Sequence, residues 1–313
     1  MKKTSLKDYL SEFLSEKEIQ IAPKSFEVIG DIALIEIAVE LEKYDKKIGE
    51  ALLNLNPTIK VALKKSGIHS GEFRTQNFEH IAGENRKETI YPENGIRLKL
   101  NVEDVYFSSK LGTERDLLAK KIKENSKVLV MFSGCGPYTF NILKKQPDVK
   151  LIDSIEINPI GHKYALENLE LNKNLIKKSK KYKETIEELK KQNKIINEKE
   201  IISKLNNETI HFYCGDVRKI LDNELKDKKY DEIFMPLPKD AHEFLDIAFK
   251  AANKGAIVHM YDFAMEDEIS TSSSQKVLAA AKKYEKEVEI IETRKVGQAS
   301  PRKYRVCIDF KVL

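Results

Sequence analysis

The residues with the greatest chemical potential lie where apolar runs give way to turn-forming residues. The first such place is Val128-Leu129-Val130-Met131-Phe132, followed by Ser133-Gly134-Cys135-Gly136-Pro137. Gly134 and Gly136 let the backbone approach a ligand where a side chain would block it. Pro137 suits the first turn of a helix, whose free N–H groups and positive dipole end then face the same spot. The bland alternative is a tight turn that packs and binds nothing. The second place is Ile155-Glu156-Ile157-Asn158-Pro159. Glu156 follows Gly136 at about the spacing, roughly 20 residues, at which a carboxylate grips the hydroxyl pair of a ribose. The third, Cys214-Gly215-Asp216, offers another carboxylate, which could equally cap a helix from 217. The fourth, Met235-Pro236-Leu237-Pro238, is a rigid extended wall short of backbone donors.

These features suit a ligand that carries adenosine, and two remain open, NAD and S-adenosylmethionine. A dinucleotide fingerprint wants a third glycine for close helix packing, but position 139 is threonine. S-adenosylmethionine has no pyrophosphate and needs no such helix end. The proline wall also suits a methyltransferase, where it would pin a flat acceptor beside the methyl group.

The elements that must position these residues follow from hydropathy. From 112 onward β- and α-type segments alternate. Helices are expected at 114–124, 137–145, 159–172, 240–252 and 266–285. Strands are expected at 127–132, 149–156, 208–214, 230–236, 255–261, 287–296 and 303–311. Such alternation implies an α/β fold with a doubly wound, mostly parallel sheet, closed by an antiparallel last pair. Ligands of such sheets sit beyond the carboxyl ends of the strands, where all four places fall. Residues 1–108 read as a small α+β domain. It has an amphipathic helix over 4–20, a hairpin about Gly30-Asp31 within 26–37, and a helix at 41–56. Three β-type segments follow, the last running from Ile96 to Phe107 after a turn at Glu93-Asn94-Gly95. The second domain is 109–313, with a lysine-rich helical insert at 173–207 that reads as a helix pair or a partly solvated excursion.

Composition sets the class. The chain has 313 residues, 41% hydrophobic and 34% charged, with a net charge of +5, so a soluble globular protein with a possible polyanionic partner is expected. No long apolar run suggests a membrane span, and the first residues lack the apolar stretch of a signal peptide. Cys135, Cys214 and Cys307 are far apart and odd in number, which fits reduced thiols in the cytoplasm. The six histidines show no metal-ligand spacing, so no metal is expected.

The combination of SFEVIGDIALIEI, SGEFRTQ, AGENRKETIYPENG, VYFSSKLGTERDLLA, MFSGCGPYTF, EINP, GDVR, MPLPKDAHEFLD and VHMYDF resembles a known family. It is similar to the archaeal and eukaryotic type of tRNA (guanine-N1-)-methyltransferase, which modifies the purine 3′ of the anticodon. The resemblance runs from about residue 9 to the C-terminus, interrupted at 173–207. It implies a class I methyltransferase fold, S-adenosylmethionine as cofactor, tRNA as partner, no membrane and a monomer. It implies Glu114 as general base, Arg74 as the cation that polarises the guanine, and Tyr106 as an aromatic near the target base. Arg115, Glu156, Ile157, Asp216, Val217 and Pro236 match cofactor contacts, above the Gly134–Gly136 turn. The chemistry agrees: guanine N1 bears a proton at neutral pH, so its methylation needs a base. Charge grows on O6 as that proton leaves, so a fixed cation helps. Each residue has a plainer role too. Glu114 could be a helix-start carboxylate behind Thr113, Arg74 a partner of Glu72 or a phosphate, and Tyr106 with Phe107 core packing.

Two departures from the family pattern stand out. Pro236 stands where the family commonly has asparagine, and with the resemblance starting near residue 9 the N-terminal module with which many members grip the tRNA elbow is expected to be missing. The competing functions are a wyosine-pathway transferase that uses the same cofactor, an NAD-dependent oxidoreductase, and a silent tRNA-binding module. Lys177, Lys178, Lys180 and Lys181 of the insert could substitute for the elbow contact, or form a solvated hairpin balanced by glutamates.

Overall fold

The computed structural model describes residues 5–313, apart from the side chains of 68–70, and divides into two units. One comprises Met1–Glu93 with Arg97–Ser109, the other Asn94–Ile96 with Lys110–Leu313.

The first unit opens with two short helices where one was expected over 4–20; residue 4 lies outside the described residues. Ser5 and Asp8 cap each other reciprocally and start α1 (Leu6–Leu10), and Ser15 and Glu18 do the same for α2 (Glu16–Ile21). Both Ser-x-x-acid signals stand in the sequence and override the helical periodicity that runs through them. β1 (Glu27–Ile29) and β2 (Ile32–Ile35) form the expected hairpin, with Gly30 at φ 61°. A helix, α3 (Asp45–Leu55), then crosses back so that β3 (Val61–Ser70) lies parallel to β2, and β4 (Thr75–Gly83) turns antiparallel to β3. α3 buries Ile48, Ala51 and Leu52 against this four-stranded sheet. At Gly49 any Cβ would fall 2.7 Å from that of Ala82, so only glycine permits the close seating. β5 (Glu88–Glu93) and β6 (Ile96–Asn101) form a separate ribbon turned by Asn94 (φ 50°) and Gly95 (φ 79°). The strand expected as far as Phe107 stops at Asn101, because the Asn101 side chain accepts from the backbone N–H of Glu103 and bends the chain away.

In the second unit α4 (Gly112–Lys121) leads into β7 (Lys127–Met131), α5 (Pro137–Lys145), β8 (Leu151–Glu156) and α6 (Pro159–Asn172). Then come α7 (Lys180–Lys191), α8 (Glu198–Thr209), β9 (Ile210–Cys214), α9 (Val217–Asp222), β10 (Tyr230–Met235) and α10 (Leu245–Ala251). β11 (Ala252–Met265), α11 (Ser272–Lys283), β12 (Val288–Ser300) and β13 (Lys303–Val312) complete it. The sheet order is β12-β13-β11-β10-β7-β8-β9. All neighbours are parallel except β13, which runs antiparallel between β11 and β12. Strand order reverses between β7 and β10, and a ligand crevice opens at the carboxyl ends beside such a reversal. β11 outruns its expected span at both ends: Ala252 pairs with Tyr230 of β10 at one, and β13 pairs with it as far as Met265 at the other, while α11 begins only at Ser272.

Helices cover both faces of the sheet. α9, α10 and α11 pack on one through Val217, Leu221, Leu245, Ala248 and Val277. The other face is covered in part by the 173–207 segment, whose Ile176, Tyr182, Ile202 and Leu205 join one cluster with Leu118, Val128 and Ile142. The segment is therefore the expected helix pair, anchored in the core by these residues, while the stretch 190–200 that joins its helices is exposed apart from the half-buried Ile196. Three of the four lysines singled out there pair locally: Lys177 with Glu198, Lys181 with Glu208 and Lys180 with Glu124, at 2.5–2.6 Å.

Candidate active site

At the exit of β7 the chain turns under strain. Phe132 sits at φ 56°, a left-handed conformation that costs a bulky residue about 1–3 kcal/mol. Its ring packs edge-on against Phe244, 4.9 Å between centroids. Gly134 (φ 56°) and Gly136 (φ 87°) continue the turn without such cost, and a Cβ on Gly136 would meet the Phe140 ring at 2.7 Å. The loop is held from three sides. The Ser133 N–H donates to Ile155 O (2.9 Å), and the Asn168 amide donates to Cys135 O (3.0 Å). Glu156 accepts from the Gly134 N–H at 2.6 Å and from the Asn158 N–H at 2.8 Å. Only 9% exposed, its carboxyl is pushed up by burial, and these backbone donors oppose that rise.

Glu156 thus braces the glycine turn from within, while its remaining lone pairs can accept from a ligand hydroxyl. The buried Ser133 hydroxyl has no hydrogen-bond partner among the described residues. An orphan hydroxyl beside a positive-φ glycine turn and a strand-end carboxylate fits the sugar and amino-acid parts of S-adenosylmethionine. Thr139 fits it too: fully buried, its hydroxyl spans from α5 to Ser154 of β8 at 2.8 Å. That bridge fills the gap a dinucleotide site closes with glycine.

Asp216 caps α9 by accepting from the Arg218 N–H at 2.7 Å, the plainer of its two expected roles, which leaves its second oxygen for a ligand. The Val217 side chain is buried in the core, while Ile157 and Pro236 are half-buried. Arg115 is 2% exposed, its guanidinium 5.9 Å from the centre of the Tyr138 ring.

Glu114 lies in the first turn of α4, which has no side-chain cap. Instead of capping, its carboxylate turns to the sheet. Oε1 accepts from Arg294 Nη2 (2.7 Å), Arg294 Nε (3.1 Å) and the Tyr261 hydroxyl (3.3 Å). Met235 pairs with Met260, so Tyr261 stands level with Pro236, one residue past the end of β10. Glu114 is therefore held at the crevice end of the sheet.

In the first unit, Arg74 (φ 52°) closes a turn onto Gly71 O. It shares with Tyr106, Gln76, Phe78 and Glu27 the lining of a pocket of about 30 Å³. That space suits a water and not a purine. Phe107 stacks edge-on with Tyr91, 5.1 Å between centroids. Of the residues expected in the site, Arg74 and Tyr106 meet in this unit, and Glu114, Arg115, Gly134, Gly136, Glu156, Ile157, Asp216, Val217 and Pro236 belong to the other. Sequence reasoning missed Ser133, Asn168, Tyr261 and Arg294. Ser133 adjoins the glycines it singled out, whereas Arg294 carries no local signal at all.

Comparison with known proteins gives a consistent picture. Residues 89–201 and 186–291 match the TRM5/TYW2 methyltransferase domain, and residues 6–86 match the TYW2 N-terminal domain. The tRNA (guanine(37)-N(1))-methyltransferase Trm5b of Pyrococcus abyssi is 37% identical over 290 residues, covering 93% of this chain and 75% of that protein. The solved complex of aTrm5 and tRNALeu superposes with a TM-score of 0.77 at 30% identity, covering 100% of this chain and 79% of the other. A tRNA(Phe) (4-demethylwyosine(37)-C(7)) aminocarboxypropyltransferase of Pyrococcus horikoshii is 27% identical, covering 99% of this chain and 97% of that protein.

Proposed function

We propose that this chain, which belongs to the TRM5/TYW2 family of S-adenosylmethionine-dependent methyltransferases, methylates N1 of the guanosine at position 37 of tRNA. The observation that carries the reading is the carboxylate of Glu114, fixed by Arg294 and Tyr261 at the crevice end of the sheet. Bound S-adenosylmethionine supplies a methyl group on a positively charged sulfur. Gly134 and Gly136, Glu156 and the Ser133 hydroxyl would hold it against the ends of β7 and β8. Glu114 takes the N1 proton, so that the ring nitrogen is free to accept a methyl group. Arg74 would supply positive charge to O6 as the proton leaves. Pro236 and Leu237 form the wall beside which the flat base lies.

The test is methyl transfer from labelled cofactor to unmodified tRNA transcripts that carry G or another base at position 37, with the product nucleoside identified by mass spectrometry. N1-methylguanosine in the G transcripts only is expected. Glu114→Gln should lower the single-turnover rate by about 10²–10⁴-fold with cofactor binding kept. Transfer that persists without Glu114, or on transcripts lacking the guanine, refutes the assignment.

A second reading has its own support. Residues 6–86 match the TYW2 N-terminal domain, and Pro236 stands where the guanine-N1 enzymes commonly have asparagine. On that reading the chain transfers a group to a tricyclic wyosine precursor, and the mass added to tRNA carrying that precursor separates the two.

A further inference from the structure

Glu114 ends a chain of buried charge that crosses four strands. Arg294 of β12 donates to Glu114 from one side and, through Nη1, to Asp309 Oδ2 of β13 at 2.6 Å from the other. The other Asp309 oxygen meets His259 Nδ1 of β11 at 2.7 Å, and His259 Nε2 meets Glu232 of β10 at 3.0 Å. His259 and Asp309 are each 2% exposed and Glu232 7%. At the rim, Glu292 lies 3.3 Å from Arg294, and Lys121 lies 3.4 Å from Asp309.

The two oxygens of Glu114 are not equivalent. Oε1 receives three donors, two from Arg294 and one from Tyr261, and so has its lone pairs engaged. Among the described residues, Oε2 has a single long contact, 3.4 Å from Arg294 Nε. Two N–H groups of one rigid guanidinium converge on Oε1, a paired contact that the single point charge of an ammonium does not reproduce. Asp309 pulls on the far side of the same guanidinium, so Arg294 is itself held in one orientation and its charge is shared between two carboxylates.

We infer that Arg294 is the positioning residue for the base: with Asp309 behind it, it locks Oε1 of Glu114 and leaves Oε2 as the atom that receives the proton. This inference rests on the reading of Glu114 as general base. The proton passes from N1 to Oε2, and N1 keeps the electron pair for the new bond. Arg294 touches neither, and acts only through the carboxylate it holds.

A double-mutant cycle on the full chain tests this, with single-turnover methyl transfer to tRNA and separate binding measurements for S-adenosylmethionine and tRNA. Arg294→Gln should slow transfer by about 10–100-fold, the scale of a misplaced reacting group, with both affinities unchanged. Arg294→Lys, which keeps the charge but loses the fork, should recover part of that rate. In a Glu114→Gln background, Arg294→Gln should cost nothing further. If Glu114→Gln slows transfer but neither Arg294 variant does, the inference fails and the base assignment stands. If Glu114→Gln has no effect, both fall. Independent, multiplicative losses also overturn it, since they would make Arg294 act elsewhere. Should Arg294→Gln not fold, Arg294→Lys alone and combined with Glu114→Gln carries the same comparisons.

Discussion

His259 should make the stability of the second unit depend on pH in a narrow and calculable window. Burial works against its imidazolium, but the Asp309 and Glu232 carboxylates outweigh that cost and raise its pKa from 6.5 to about 9. At roughly 1.4 kcal/mol per tenfold change in proton affinity, this rise amounts to on the order of 3 kcal/mol of folding stability. The sign follows from the direction. The folded state holds the proton more tightly than the unfolded chain. The stabilisation is therefore complete below about pH 6.5 and disappears as pH rises through about 9. Asp309, held well below the usual carboxylate range despite its burial, acts at the other end: its contribution is present above about pH 4 and is lost on acidification. Urea unfolding followed by circular dichroism from pH 5.5 to 9.5 measures the effect, with hydrogen exchange of β10–β13 peptides to assign the transition to the second unit. His259→Gln should be less stable at neutral pH, because it strands two carboxylates, and should lose the decline between pH 6.5 and 9. The difference between the two proteins cancels the titrating groups that His259 does not touch, leaving His259 with its partners Asp309 and Glu232. A wild-type curve that is flat across this window, or a decline that survives in His259→Gln, refutes the buried imidazolium.

Other consequences can be checked more directly. Glu156→Ala should weaken S-adenosylmethionine binding by roughly 1.5–3 kcal/mol in calorimetry, because it removes a charged acceptor and unbraces the glycine turn, while tRNA affinity holds. Leu205→Ala should destabilise the second unit by about 2–5 kcal/mol in urea titration, since this side chain of the lysine-rich segment is 4% exposed within the core. A loss below 1 kcal/mol would return that segment to the status of a solvated appendage. Pro236→Asn should leave stability nearly unchanged, and comparison of its single-turnover rate with wild type on G37 transcripts reads the effect of the asparagine that the family resemblance leads one to expect there.

The sheet was legible because its strands are apolar runs bounded by glycine, proline and acidic residues, and the crevice followed from them. The glycine turn, Glu156 and Asp216 fall at strand ends for that reason alone. Other parts were misread for identifiable causes. A helical stripe of leucines hid the two capping boxes that break residues 5–21. High lysine and glutamate content around 173–207 concealed four apolar residues that one face of the sheet needs. The partner of Glu114 was beyond reach of any local pattern. Arg294 lies 180 residues away, on a strand whose register slips between Ile290 and Glu292 and again between Lys295 and Gly297. Strict alternation therefore cannot say which way it points.

The placement of β13 has a consequence for the order in which the molecule is assembled during synthesis. Among the described residues β12 has no sheet neighbour except β13, and β13 is made after it. The strands that border the crevice, β7 to β11, can pair as soon as residue 265 is available. Arg294 must wait, because the strand that carries it has nothing to dock against until residues 303–312 slot in beside β11. The growing chain can therefore complete the crevice at the strand ends before the Glu114 carboxylate is locked, and the Glu114–Arg294 contact is among the last that the polypeptide makes.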